Sequence, residues 1–176
     1  MESILLHPPL VHFAIVLPMV ALILQLAYSV TNNYQYSQWS ARFLIVSALV
    51  MIATWYTGGT EGKEIYPLLT EGAQEVLIEH KNLGLTLMIS TIVLAVVKFI
   101  ACKSRNVFLE TLVFIGLLGV SSVLAYQGLL GGELVYKHGA NVEKHSDGLD
   151  CLDDPSLYIE DEEDEEENEE ESNKAR

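Results

Sequence analysis

Four long apolar segments dominate the hydrophobic pattern of this 176-residue chain. Each is close to the roughly 20 residues that a helix needs to cross the hydrocarbon of a bilayer. We place them at about residues 10–29, 38–57, 81–101 and 107–130. The pattern therefore predicts an all-α protein, a four-helix transmembrane bundle.

Charge divides the chain into a nearly neutral body and an acidic tail. Residues 1–149 carry ten acidic and eight basic side chains, whereas residues 150–176 carry fourteen acidic and two basic ones. Long runs of like charge are usually disordered. We expect a transmembrane domain over residues 1–149 and a solvated, disordered acidic tail over residues 150–176. Electrostatic attraction of a basic partner, such as a basic soluble cytochrome, or of cations is the alternative role of the tail. A net charge of −14 excludes nucleic-acid binding as the main role.

Four of the five histidines fall on the same side of the predicted bundle. Four spans put both chain ends on one side, here called side A, and the other side is called side B. His7 and His12 begin the first span, His80 begins the third, and His138 follows the fourth. Because they share a depth, they are candidates for one ligand site. His145 lies in the region that leads into the tail, and we expect it to be uninvolved.

The stretch HPPLVH at residues 7–12 contains the strongest candidate ligand. His12 lies about one turn inside an apolar helix, where an imidazole without a partner is costly. His7 is five residues away, about 140° around the helix, so the two cannot act as a pair on one face. We rank His80 second, His138 third because small side chains of the fourth span lead toward it, and His7 fourth.

The long connection on side A is predicted to begin with a turn at Gly58–Gly59 and to extend to Glu79. Within it, Thr70 is a plausible helix N-cap, and Glu71 suits a first helical turn. We therefore expect a helix to begin near Thr70 and to run directly into the third span.

Basic residues predict the orientation of the chain. The basic residues of side B are assigned to short loops without an acidic partner; they are Arg42, Lys98, Lys103 and Arg105. Lys and Arg in short loops favour the cytoplasmic side. Side A would then be periplasmic, together with both termini, if the protein resides in a bacterial inner membrane.

The histidines suggest haem chemistry more than hydrolytic chemistry. One or two b-type haems could bind in an apolar slot between helices, with imidazoles as axial ligands. A zinc, copper or iron ion held by histidines and glutamates is the alternative ligand, and purely structural histidines are the third possibility. The chain has no GxSxG motif, phosphate loop or CxxCH haem-attachment motif. We therefore expect an electron-transfer or accessory protein, not a stand-alone enzyme.

Several stretches resemble the bacterial membrane family known as domain of unknown function 2231. They are HPPLVHFAIVLP, the TGG after the second span, HKNLG and GGELVYKHGANV, which together cover about residues 6–142. The resemblance implies a four-helix membrane protein whose family histidines correspond to His7, His12, His80 and His138. It also implies a relationship to membrane b-type cytochromes, which favours haem. Ala14, Ala140 and Asn141 depart from the family's motifs without removing a candidate ligand.

The expected function is a small membrane b-type cytochrome of the bacterial inner membrane. It would exchange electrons at the outer face with a quinol or with a basic soluble cytochrome. The alternative function is a non-redox protein, either an accessory subunit of a larger membrane complex or a metal-binding module. In both cases membrane lipid surrounds the spans.

Overall fold

The computed structural model describes residues 6–140, which form four long α-helices. Their bounds are α1 His7–Thr31, α2 Tyr34–Ile65, α3 Glu71–Ser104 and α4 Val107–Tyr136. All four are long and apolar enough to cross a membrane. The prediction of an all-α bundle of four membrane-spanning helices is therefore confirmed. The acidic tail, His145 and Cys151 lie outside the described residues.

The helices pack in a ring in which each one runs antiparallel to its neighbours. α1 contacts α2, α2 contacts α3, α3 contacts α4, and α4 closes the ring on α1. α1 and α3 therefore occupy diagonal positions. Small core residues such as Ala14, Ala21 and Ala48 let the helix backbones approach closely, as is common in membranes. The larger Leu44 and Leu117 fill the space between them.

The two connections on side B are tight and built alike. Asn32 is the C-cap of α1 and Arg105 is the C-cap of α3, and both residues have a left-handed φ of 53°. The next residue is an asparagine in each case, and its side chain caps the following helix. Asn33 accepts a hydrogen bond from a backbone N–H of α2, and Asn106 accepts two from α4. These caps end one helix and begin the next within two residues.

The connection on side A is shorter than the sequence pattern predicts. α2 continues through Gly58–Gly59 to Ile65, a 3₁₀ turn covers Tyr66–Leu68, and α3 begins at Glu71. The predicted turn at Gly58–Gly59 is therefore wrong. Gly58 packs against the His7 ring of α1, and both glycines stay helical despite their low intrinsic propensity. The predicted helix start is confirmed, since Thr70 is the N-cap and α3 runs unbroken into the membrane-spanning part.

A buried ion pair near side B lies at the centre of a polar cluster that joins all four helices. Lys98 of α3 is 0% exposed, and its ammonium group lies 2.5 Å from a carboxylate oxygen of Glu110 in α4. The same ammonium donates hydrogen bonds to Gln25 of α1 at 2.6 Å and to Ser37 of α2 at 2.9 Å. All three of its N–H groups are therefore used. The prediction that Lys98 lies in a loop without an acidic partner is wrong.

The remaining polar atoms of this cluster are also paired. The Gln25 amide donates to the carboxylate of Glu110 at 2.7 Å and to its backbone carbonyl at 3.1 Å. The Ser37 hydroxyl donates to the other carboxylate oxygen of Glu110 at 2.6 Å. Charges inside a bilayer are tolerated when they pair with one another. The cluster of Gln25, Ser37, Lys98 and Glu110, hereafter the polar clasp, therefore holds the four helices in one register.

The polar clasp leads to a prediction about the free energy of unfolding. We expect Glu110→Ala to lower the free energy of unfolding by about 3–5 kcal/mol, because it leaves the Lys98 charge buried without its partner. The matched control is Glu133→Ala, which removes an exposed pair with Lys137 on the same helix and should cost at most about 1 kcal/mol. Reversible unfolding in mixed micelles measures both. Equal losses would contradict a special role for the clasp.

Candidate functional site

A cavity of about 730 Å³ opens at the side A end of the bundle, and all four helices contribute to its wall. Three of the four predicted site histidines line this cavity: His7 and His12 from α1 and His80 from α3. Most of the wall is apolar. A concave, mainly apolar chamber with a few converging polar groups is typical of a ligand site.

His7 is held in place by α2. Its ring Nδ1 lies 2.9 Å from the backbone carbonyl of Thr54. Its backbone N–H and that of Leu6 donate to one carboxylate oxygen of Glu61, at 2.9 and 3.0 Å. The Glu61 carboxylate thus supplies the N-terminal cap that α1 lacks in its own sequence. Because a carbonyl oxygen only accepts, Nδ1 is the donor, and in the neutral imidazole Nε2 keeps its lone pair for a ligand.

His12 has the same arrangement within a single helix. Its Nδ1 lies 2.8 Å from the carbonyl of Pro8, one turn earlier. This nitrogen is therefore also the donor, and Nε2 is available for coordination. Histidines that bind metals usually donate their other ring N–H to a carbonyl or carboxylate in this way. His7 and His12 thus present the same chemical group at two positions of one cavity.

His80 enters the cavity from the diagonal helix. It is half-buried, and its Nδ1 is fully buried without a hydrogen-bond partner. Gln127 of α4 donates from its side-chain amide to the His80 backbone carbonyl at 2.9 Å. The other end of that amide, Oε1, is likewise buried and unpaired. Buried polar atoms without partners are costly, so this wall is suited to a ligand that can bind polar groups.

The fourth predicted site histidine does not take part in this cavity. His138 lies beyond the end of α4 and is not among the described residues that line the cavity. Within residues 6–140, no three His, Cys, Asp or Glu side chains are grouped closely enough to hold one metal ion. The arrangement therefore gives no support to a compact zinc, copper or iron site there.

Two glycines let the histidine rings approach the neighbouring helices. A Cβ atom on Gly58 would lie 2.5 Å from the ring of His7, and one on Gly131 would lie 3.2 Å from the ring of His80. Both distances are shorter than ordinary contacts. The sequence pattern predicts a turn at Gly58 and gives no indication of Thr54 or Gln127. A glycine within an apolar helix is the sequence feature that could indicate where the histidine ring packs closely.

The contact between Gly58 and the His7 ring leads to a prediction, for which the neighbouring Gly59 provides the control variant. Gly58→Ala should displace the His7 ring and break its hydrogen bond to Thr54, at a cost of about 1 kcal/mol. Gly59→Ala meets no atom within 4 Å. It should gain up to about 1 kcal/mol from the better helix propensity of alanine. Thermal unfolding should therefore rank Gly59→Ala above Gly58→Ala. The reverse order, or equal stability, would show that the His7 ring is not held against α2.

Comparison with known proteins identifies the family but no characterised relative. A family model described as "Predicted membrane protein (DUF2231)" matches residues 3–144. No curated protein and no solved structure matches the chain. The matched range includes all four helices and every histidine that lines the cavity. The chain belongs to the DUF2231 family of predicted membrane proteins.

Proposed function

We propose that this protein is a small membrane haem protein that binds haem b in the side A cavity and exchanges electrons there. The observation that carries the proposal is the convergence of His7, His12 and His80 on one apolar cavity from two diagonal helices. Haem iron takes one or two axial imidazoles, and four-helix bundles commonly hold such cofactors between facing helices. When bound, the haem would supply one-electron redox chemistry.

The residues present fit a haem in three respects. The cavity volume of about 730 Å³ falls in the range of ordinary cofactor sites. Five further glycines line the cavity beside Gly58 and Gly131 and limit the side-chain bulk along its wall. Lys63 and Lys81 also line it and are exposed, so they are suited to pair with the two haem carboxylates. His80 would supply the axial ligand from α3, and a histidine of α1 would supply the other.

Electron exchange is proposed at one face only. Along α3, His80 and Lys98 are 18 residues apart, which is about 27 Å. This separation is close to the hydrocarbon thickness of a bilayer, about 30 Å. Side B holds the polar clasp, and no histidine of residues 6–140 lies there. The partner would be a quinol in the membrane or a basic soluble cytochrome that the acidic tail attracts.

The orientation is proposed from the exposed basic residues. With Lys98 removed from the count because it is buried, Arg42, Lys103 and Arg105 remain exposed on side B. The only acidic side chain near them in the described part, Glu110, is 3% exposed and paired. The excess of positive charge supports a cytoplasmic side B. Side A and both termini would then face the periplasm of a bacterial inner membrane.

The contacts of His7 support a second function. Its hydrogen bonds to Thr54 and Glu61 join α1 to α2. A histidine whose role is only structural would make the same contacts. In that case the protein would be a non-redox accessory subunit of a larger membrane complex.

The visible spectrum separates these functions. We expect protein purified from cells with ample haem to show a haem α-band in the reduced-minus-oxidised spectrum. His80→Ala should lose most of the bound haem, because it removes the only histidine outside α1 that lines the cavity among residues 6–140. His138→Ala is the matched control and should retain haem, because His138 does not line the cavity. An absent α-band would leave the accessory function as the better account. Haem loss in His138→Ala alone would contradict the proposed site.

A further inference from the structure

The two helix hairpins of the bundle repeat each other with an offset of 73 residues. Asn32–Asn33 joins α1 to α2, and Arg105–Asn106 joins α3 to α4. In both connections the first residue has a φ of 53° and the second caps the next helix. Because each connection lies 73 residues from its counterpart, the α1–α2 hairpin corresponds to the α3–α4 hairpin.

The buried positions follow the same offset. Residues that are 73 apart occupy equivalent places in the core, as in the pairs Ala14 and Leu87, Leu44 and Leu117, and Met51 and Leu124. The bundle is therefore built from two structural repeats whose sequences have diverged. Membrane proteins are often built from such repeats.

The symmetry axis of the repeats is located by residues that touch their own counterparts. Both hairpins begin at side A, so the two repeats are related by a rotation about an axis along the bundle. In a twofold arrangement, a residue contacts its own equivalent only beside the axis. Lys98 donates to Gln25 at 2.6 Å, and Ser37 donates to Glu110 at 2.6 Å; both pairs are 73 residues apart. The polar clasp therefore lies on the axis at side B.

The same offset relates two of the cavity histidines at side A. His7 and His80 are 73 residues apart, and the glycines against which they pack, Gly58 and Gly131, are also 73 apart. The two imidazoles line one cavity from equivalent positions of the two repeats. The axis therefore passes between these two rings. The counterpart of His12 is Leu85, so His12 faces no equivalent imidazole.

We propose that His7 and His80 are the two axial ligands of a single haem bound on the pseudo-twofold axis. This inference rests on the haem function proposed above and names the ligand pair of that site. Two imidazoles related by a twofold axis would each be able to bind the haem iron, one from each side. His7 donates from Nδ1 to Thr54 and so offers Nε2. The α1 ligand is then His7, the fourth-ranked candidate by sequence, and not His12.

Haem content of single variants tests the pair directly. His7→Ala and His80→Ala should each lose most of the bound haem, since each removes one of two equivalent ligands. His138→Ala is the matched control, and it should keep both the haem and its spectrum, because His138 does not line the cavity. Haem loss in His12→Ala together with full retention in His7→Ala would overturn the assignment. A wild-type protein without haem would instead refute the proposed function.

A cross-linking experiment tests the axis without haem. In a Cys102→Ser and Cys151→Ser background, His7→Cys with His80→Cys would place one thiol in each repeat beside the axis. A protease site inserted in the connection Tyr66–Leu68 allows the chain to be cut between the two repeats. After cleavage, the two fragments stay linked only where a short bismaleimide has joined the two thiols. We expect the cross-linker to hold the two halves together in most molecules.

The control for this experiment changes only the α1 position. Phe13→Cys with His80→Cys, in the same background, should give little cross-linking, because Phe13 is exposed and does not line the cavity. Equal cross-linking of the two pairs would overturn the placement of the axis between His7 and His80. Circular dichroism of both double variants confirms that the helices are retained.

Discussion

A polar side chain inside a bilayer must find its partner within the protein, because no water is available there. The two ends of this bundle meet that constraint in opposite ways. At side B, every hydrogen-bonding group of Lys98 and Glu110 is used by the four-helix clasp. At side A, His80 Nδ1 and Gln127 Oε1 remain unpaired beside a cavity. One end is closed and holds the helices together, whereas the other has the chemical groups of a binding site.

The repeat explains why both features lie on the central line of the bundle. When two equivalent hairpins pack around an axis, equivalent residues meet there, and small changes in one repeat create complementary pairs. Gln25 and Lys98 occupy equivalent positions, as do Ser37 and Glu110. Different residues at equivalent positions thus form a buried ion pair at one end. Histidine at equivalent positions of both repeats at the other end places two imidazoles beside one cavity.

The sequence predicts the helices well because length and apolarity decide them locally. The location of His7, His12 and His80 at one end follows from the same topology. Features that depend on tertiary packing are not predictable in this way. Adjacent glycines indicate a turn in isolation, yet Gly58 stays helical where the His7 ring packs on it. Lys98 resembles a loop residue until its partner, twelve residues later, is placed beside it. The 73-residue repeat is present in the sequence, but it becomes evident only when buried positions are compared.

The central claim is that two imidazoles from diagonal helices bind one haem iron at side A. Electron paramagnetic resonance of the oxidised protein, purified from cells with ample haem, tests it most directly. The account predicts a low-spin ferric signal, because two imidazole ligands give a strong ligand field, and a change to high spin in any variant that loses one ligand but retains haem. A ferric haem signal that is high-spin in the wild-type protein would contradict ligation by two histidines.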